Sequence, residues 1–158
     1  MLKKIQPQKI TAQGGRFAIV ASEYNREYVD SMLKAAVKTL KAAGAEEIRT
    51  VRVPGAYEIP VVAGQLARAS LPPLSAILCL GVILRGETTH AQFIGEAVTN
   101  ALMRIQVKWE VPVIHEVLLL ESHEQARKRC LSRDHNRGME AAQTALRMAA
   151  IMRDLLVD

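Results

Sequence analysis

The hydrophobic positions along the first third of the chain switch between the period of a buried strand and that of an amphipathic helix. Residues 17–21 form a continuous apolar run, which is typical of a parallel strand buried on both faces. Residues 48–53 alternate apolar with polar side chains and predict a second strand, which Pro54-Gly55 ends. Between them, apolar residues recur on one helical face until Gly44 stops the helix: Val29, Met32, Leu33, Ala36, Val37 and Leu40.

The same alternation of strand and helix patterns continues to the end of the chain. A helix begins near Tyr57 and ends before Pro72, because Pro60 is tolerated only in a first turn. The further predicted elements are a central strand over 76–84, a helix over about 89–107, a strand over 113–119, and two closing helices over about 122–131 and 138–156.

This order of elements predicts the fold class. Strands separated by helices of this length imply right-handed crossovers, which give a parallel sheet covered on both faces. We therefore predict an α/β fold, a flavodoxin-like three-layer αβα sandwich with a four-stranded parallel sheet. Residues 16–158 are predicted to form a single domain, and residues 1–15 look too polar to join its core. We expect the latter to be an N-terminal arm that adds to a neighbouring subunit.

The composition fits a globular protein and excludes several other classes. The 158 residues carry a formal charge of 21 − 16 = +5 and are 49% hydrophobic, which excludes disorder as the main state. The apolar run over 76–84 is well short of the roughly 20 residues that a transmembrane helix needs, so no membrane span is predicted. Residues 1–7 lack the apolar stretch of about 7–15 residues found in secretory signals, so a cytoplasmic location is expected.

Three further features narrow the function. Aromatic residues amount to only 4% and basic residues are spread among acidic ones, which argues against nucleic-acid binding. Cys79 and Cys130 are far apart in the sequence and are predicted to be reduced thiols. The four histidines form no i, i+4 pair, so no metal site is predicted.

Ligands of open parallel sheets bind at the carboxyl ends of the strands, which selects four loops of this chain. They are residues 23–25, 54–58, 85–90 and the turn after Leu119. In the third loop a central strand leads through Gly86 to two threonines at a helix start, where free N–H groups and the helix dipole favour an anion. The alternative is that Thr88 or Thr89 is a plain N-cap.

Two groups of charged or titratable residues have both a functional and an ordinary interpretation. His90, in the first turn of a predicted helix, is either a proton shuttle held neutral by the dipole or a solvent-exposed helix histidine. Five basic residues within 127–137 form either a solvated helix face or a phosphate clamp from Arg129 or Arg137.

His115 and Glu116 interrupt an apolar strand where its carboxyl end is predicted to approach. Polar groups in that position need partners. The pair either lines a pocket, which we favour, or bonds to each other at its rim.

Several ordered segments together resemble the lumazine synthase family, which carries out the penultimate step of riboflavin biosynthesis. They are Tyr24-Asn25, Val53 to Pro60, Gly81 to His90, Glu124-Gln125-Ala126 with Arg129, and Asn136 to Ala142. The similarity runs over about residues 16–156, almost the whole chain. Several ordered motifs at matching intervals are far more specific than any single one.

The resemblance implies condensation of 5-amino-6-ribitylamino-2,4(1H,3H)-pyrimidinedione with 3,4-dihydroxy-2-butanone 4-phosphate to 6,7-dimethyl-8-ribityllumazine, phosphate and water, without a metal or an organic cofactor. It assigns proton transfer to His90. It assigns the phosphate to Gly86, Glu87 and Thr88, with Arg129 reaching in from the adjacent subunit. It also implies substrate-binding residues. Tyr24 stacks on the pyrimidine, and Val82, Ile83 and Leu84 frame the ring. The ribityl chain and the ring edge face Asn25, Ala56, Tyr57 and Glu58, and His115 and Arg137 lie beside the site.

The sequence departs from the family pattern at three places. Ala91 follows the key histidine where an aromatic residue is usual, and His115-Glu116 replaces an aromatic residue and a glycine. Arg137 replaces a lysine. The change at His115 exchanges an apolar wall near the pyrimidine for a titratable group, which bears on substrate affinity and pH optimum.

The resemblance also implies an assembly, because lumazine synthases form pentamers with the active site between neighbours. Some members pair pentamers into decamers or close them into icosahedral shells. The turn over 131–136 lacks the glycines usual in shell-forming members, which argues against a shell. The alternative function is a ring or shell protein that binds flavins or lumazines without turnover, but the presence of both His90 and Arg129 favours the enzyme.

Overall fold

The computed structural model describes residues 9–157, and its helices and strands follow the predicted order. They are β1 (Arg16–Ser22), α1 (Arg26–Ala42), β2 (Glu47–Val53), α2 (Ile59–Ala69), β3 (Ala76–Leu84), α3 (His90–Trp109), β4 (Val113–Leu120), α4 (His123–Ala126) and α5 (Arg137–Asp154). A 3₁₀ turn, Ala56–Glu58, precedes α2. Within residues 9–157, no helix combines the length and hydrophobicity that crossing a bilayer would require.

The four strands form one parallel sheet in the order β2-β1-β3-β4, which confirms the predicted sandwich. Helices α1 and α5 cover one face of the sheet, and α2 and α3 cover the other. Successive residues of β1 and β3 are therefore buried on alternate faces, which explains their continuous apolar runs. All carboxyl ends of the strands point to one edge, where the predicted loops lie.

One predicted helix has a different form in the structure. Residues 122–131 were expected as a single helix, but α4 is one α-helical turn that continues as a wider π-helical turn, Arg127–Leu131. The carbonyl of Cys130 is bonded by side chains from α1 and from the start of α5, rather than by a following helical turn. Tertiary contacts thus set the end of this helix.

The segment before β1 also differs from expectation. Residues 1–8 of the predicted arm lie outside the described residues. Ala12, however, is buried in the core, its N–H donates to the Ala43 carbonyl at 2.8 Å, and Ile10 packs nearby. The prediction that residues 1–15 are too polar to join the core is therefore wrong at these two positions. The small side chain of Ala12 and the aliphatic side chain of Ile10 pack against the core near the end of α1.

Helices α1 and α5 approach each other most closely at Gly138. A Cβ atom on this residue would overlap the carbonyl oxygen of Met32 and lie 2.5 Å from its Cα atom. Only glycine permits that distance. The contact fixes the start of α5, and with it the neighbouring π-helical turn, against the middle of α1.

Candidate active site

Three of the predicted loops lie side by side at the carboxyl edge of the sheet. The N–H of Glu23 donates to the Val53 carbonyl at 2.8 Å, and the N–H of Tyr24 donates to the Pro54 carbonyl at 3.1 Å. These bonds join the loop after β1 to the loop after β2. The side-chain amide of Asn25 donates to the Val82 carbonyl at 2.7 Å and joins the same loop to the end of β3.

Asn25 has a left-handed backbone, with φ 55° and ψ 42°, at the position that precedes α1. Asparagine tolerates this conformation better than most residues. Its side chain makes no helix-capping bond and reaches across to β3 instead. Asn25 therefore joins the loop after β1 to the end of β3.

Tyr24 presents an exposed aromatic ring above the loop after β2. The ring lies so close to Gly55 that a Cβ atom there would be 2.9 Å from Tyr24 Cδ2. The carboxylate of Glu58 accepts a bond from the Gly55 N–H at 2.9 Å. Tyr57 beside it is exposed and Ala56 is buried. The sequence Pro54-Gly55 thus does more than end a strand, since it makes room for the tyrosine ring.

The loop between β3 and α3 is open to solvent. Residues 85–90 are exposed, and no hydrogen bond within the described part of the chain occupies the N–H groups of Gly86, Glu87 or Thr88. Thr89 is the residue before α3, but its side chain makes no capping bond. Thr88 accepts a long bond of 3.4 Å from the His90 N–H. Free amides at the start of a 20-residue helix can bind an anion.

The remaining residues of the β3 end lie where the sequence predicts them. Val82 is buried toward α1 and α5, whereas Ile83 and Leu84 are half-buried. His90 is exposed in the first turn of α3. A flat ring, unpaired amides and a histidine therefore surround the same strand ends.

His115 and Glu116 do not lie at the carboxyl end of β4, so that prediction is wrong. They are the third and fourth of eight residues, because the apolar run continues the strand to Leu120. Strand alternation points the two side chains to opposite faces of the sheet. They therefore cannot bond to each other: His115 Nε2 lies 2.7 Å from Thr99 Oγ1 on α3, and Glu116 bonds to Arg137 on α5.

The surroundings of His115 favour its neutral form. Burial lowers the pKa of the imidazole, although part of the ring reaches solvent. Its Nδ1 accepts a bond from the Val117 N–H at 3.2 Å, so the proton belongs on Nε2, which donates to Thr99.

We expect acidification to destabilise the fold through His115. Because its folded-state pKa lies below the ordinary value, its stabilising contribution is complete above pH 6.5 and is lost as the pH falls through the folded-state pKa. His115→Phe should reduce the loss of unfolding free energy between about pH 7 and about pH 5, measured in urea at fixed protein concentration. An unchanged loss in the variant would contradict this assignment.

Arg137 is held by two carboxylates. Its Nη2 and Nε donate to Glu116 at 2.7 and 3.0 Å, and its Nη1 donates to Glu140 at 2.7 Å. Burial raises the pKa of Glu116 in spite of the guanidinium. Burial opposes the charge on Arg137, but the two ion pairs outweigh it and raise the pKa of that residue. We conclude from the bidentate geometry that the pair is charged at neutral pH.

Arg129 differs from Arg137 and from its neighbour Lys128. Lys128 pairs with Glu124 at 2.8 Å, whereas Arg129 is exposed on the π-helical turn and forms no ion pair within residues 9–157. The structure thereby distinguishes the ion-paired members of the basic cluster, Lys128 and Arg137, from Arg129, a distinction that the sequence alone does not make. Between residues 9 and 157, no hydrogen bond or ion pair links Arg129, Arg137 or His115 to the loops that carry Tyr24 and His90.

Three residues near the site are not among the candidate residues that the sequence indicates. Ser22, the last residue of β1, has a buried hydroxyl with no hydrogen-bond partner in the described structure. Ser31 and Asn136 bond the carbonyl of Cys130. Asn136 begins one of the segments that carry the family resemblance, but no pattern in the sequence reveals the bonds of these three residues, because they depend on tertiary contacts.

Comparison with known proteins gives one consistent result. Residues 14–153 match the 6,7-dimethyl-8-ribityllumazine synthase family. The 6,7-dimethyl-8-ribityllumazine synthase of Aquifex aeolicus is 37% identical over 154 residues, covering 96% of this chain and 99% of that protein. Proteins of the same name from Clostridium kluyveri and Salinibacter ruber are 34% and 36% identical, covering 96% and 90% of this chain and 99% and 92% of theirs. The chain therefore belongs to the 6,7-dimethyl-8-ribityllumazine synthase family.

Proposed function

We propose that this chain catalyses the lumazine synthase reaction of riboflavin biosynthesis at the carboxyl edge of its sheet, in a site completed by a neighbouring subunit. The reaction is the transferase step of its family, in which the pyrimidinedione and 3,4-dihydroxy-2-butanone 4-phosphate condense. The observation that carries the location is that hydrogen bonds join the loops after β1 and β2 to the end of β3, beside which lie an exposed tyrosine ring, the amides of residues 86–88 and His90. The family comparisons do not favour the non-catalytic alternative.

We take the division of roles among these loops from the family resemblance, and the exposed amides and the exposed tyrosine ring support it. The butanone phosphate binds the amides of residues 86–88, and the pyrimidine stacks on Tyr24. The ribityl chain and ring edge face Asn25 and residues 56–58, and the ring is framed by residues 82–84. His90 moves the protons that Schiff-base formation, phosphate elimination and ring closure require. Much of the acceleration then comes from positioning the two substrates together.

The proposal of a neighbouring subunit rests on two features. Among the described residues, no bond links Arg129 or Arg137, the cationic residues that the family resemblance assigns to the site, to the strand-end loops of their own chain. In addition, α2 and α3 expose large apolar side chains, which is typical of a subunit interface: Val61, Phe93, Met103 and Val107. We propose pentamers, in which Arg129, Arg137 and His115 face the loops of the next subunit; a cytoplasmic location stays a prediction.

The activity itself has a direct test. Purified protein mixed with the two substrates should give the absorbance and fluorescence of the lumazine faster than the spontaneous reaction. A rate equal to the spontaneous one would contradict the proposed function. Solution mass measured on the same sample by light scattering should be five times that of the chain, or a multiple of this value.

Arg129→Ala is expected to weaken binding of the butanone phosphate. Loss of a charge-assisted bond to phosphate costs about 1.5–3 kcal/mol, so the KM for this substrate should rise and inorganic phosphate should compete less well. Lys128→Ala is the matched control, because it removes an adjacent cation that already pairs with Glu124. An unchanged KM in Arg129→Ala would show that the basic cluster is only a solvated face.

A further inference from the structure

Two side chains from separate elements meet at the backbone carbonyl group of Cys130. Ser31 Oγ on α1 donates to this oxygen at 2.6 Å, and Asn136 Nδ2 donates to it at 2.6 Å. Asn136 Nδ2 also donates to Ser31 Oγ at 3.1 Å, while its Oδ1 accepts from the Gly138 N–H at 2.8 Å. We call Ser31, Asn136 and the Cys130 carbonyl the carbonyl node.

The carbonyl node is complete as a hydrogen-bond network. The one hydroxyl proton of Ser31 and both amide protons of Asn136 have acceptors, and Asn136 is buried. Its members come from α1, the π-helical turn and the residue before α5. A network this well satisfied holds its elements in a single arrangement.

Without the carbonyl node, the carboxyl end of the helical segment 123–131 would be poorly stabilised. The last carbonyl groups of a helix lack partners within it, and residues 123–131 form only a short helical segment. Such ends fray. Here Ala126 at the end of α4 and Cys130 in the π-helical turn are buried on one side, residues 127–129 are exposed on the other, and two side chains bind the Cys130 carbonyl.

Arg129 directly precedes Cys130, whose carbonyl is bound by the node. It is exposed and forms no close ion pair inside the described range of the chain, and it interacts with the Glu116 carboxylate only through a longer-range attraction, so the direction of its side chain depends mainly on the backbone that carries it. The backbone on its carboxyl side is anchored by the node, and buried Ala126 anchors the turn before it. π-Helical turns are rare and frequently lie at functional sites.

We propose that Ser31 and Asn136 are positioning residues for substrate: by fixing the backbone of the π-helical turn, they place Arg129 where it can bind the phosphate of the butanone substrate. The inference rests on the proposed function, in which Arg129 binds that phosphate. A cation that is already positioned loses less conformational freedom on binding, so it binds the anion more tightly.

The test uses two variants that weaken the node in different ways. Ser31→Ala removes the hydroxyl from a helix interior in which alanine is well tolerated. Asn136→Ser removes the amide donors but keeps a residue that can cap α5 and adds no charge. Each should raise the KM for the butanone phosphate about threefold to tenfold, with little change in kcat or in the KM for the pyrimidinedione.

The matched control is Thr39→Ala on the same helix. It also removes one hydroxyl that bonds a backbone carbonyl, that of Ala35 at 2.9 Å, but this carbonyl lies within α1 itself. Its kinetic constants should equal those of the unmodified chain. If Thr39→Ala raises the KM for the butanone phosphate as much as Ser31→Ala does, the effect is a general weakening of α1 and the inference is overturned.

A double-mutant cycle separates positioning from mere stabilisation. In the Arg129→Ala background, adding Ser31→Ala or Asn136→Ser should produce no further rise in the KM for the butanone phosphate. Additive effects would overturn the inference, as would a lowered melting temperature with unchanged KM values. If Arg129→Ala leaves the KM for the butanone phosphate unchanged, the assignment of the phosphate to Arg129 is wrong. If Arg129→Ala raises this KM but Ser31→Ala and Asn136→Ser do not, only the positioning role of Ser31 and Asn136 is overturned.

Discussion

Gly138→Ala is expected to destabilise the fold more than the same substitution at any other glycine of the chain. The new Cβ atom would overlap the carbonyl of Met32, which is main chain and part of α1, so no side-chain rotation can relieve the contact. Separating α1 from α5 would open the core that they share with the sheet. We expect a loss of about 3 kcal/mol or more in the free energy of unfolding, measured by urea denaturation.

Gly64→Ala provides the control for this result. Gly64 also lies inside a helix, α2, but a Cβ atom there would meet only the side chain of Ile105, at 3.6 Å. Because alanine favours a helix over glycine, this change should stabilise the protein by about 0.5–1 kcal/mol. Equal destabilisation by the two substitutions would show that the approach of α1 and α5 is not the cause.

His90→Asn is expected to lower turnover while leaving the fold and the assembly intact. The side chain is exposed at the start of α3, so its removal costs little packing. General acid–base groups typically contribute about 10²–10⁴-fold, and we expect the lower end because this reaction proceeds slowly once its partners are held together. Steady-state kinetics and the solution mass of the variant measure the two parts of this expectation.

The pH dependence tests the role of His90 more sharply. The wild-type profile should contain an ionisation that disappears in His90→Asn. His115 is a second histidine assigned to the site, so the same profile must be measured in His115→Phe. If the ionisation persists in His90→Asn and disappears in His115→Phe, proton transfer belongs to His115 and the assignment to His90 is wrong.

The elements that the sequence predicted well are those whose pattern is local. The central strand, Ala76–Leu84, has the predicted bounds because a continuous apolar run lies between prolines and an exposed glycine loop. The end of α1 was also predicted, since Gly44 has a positive φ of 83°, and the N–H groups of Gly44 and Ala45 donate to the carbonyls of Lys41 and Leu40 to close the helix.

The features that the sequence could not predict depend on distant partners. The π-helical turn is held by Ser31 and Asn136, and Ser31 is 99 residues away from Cys130. The strand over 113–119 was predicted nearly as observed, but the partners of His115 and Glu116 were not, because they lie 16 and 21 residues away in sequence, on α3 and at the start of α5. The choice between Arg129 and Arg137 needed the bond to Glu116, which joins residues 21 positions apart.

The bond between Glu116 and Arg137 makes these two positions depend on each other unequally. If Glu116 were replaced, Arg137 would keep its bond to Glu140 at 2.7 Å, and a third of its side chain is exposed. If Arg137 were replaced by lysine, Glu116 would be a carboxylate with 8% exposure facing a cation that cannot grip it with two bonds. A substitution at position 137 is therefore more tightly constrained by Glu116 than a substitution at position 116 is by Arg137.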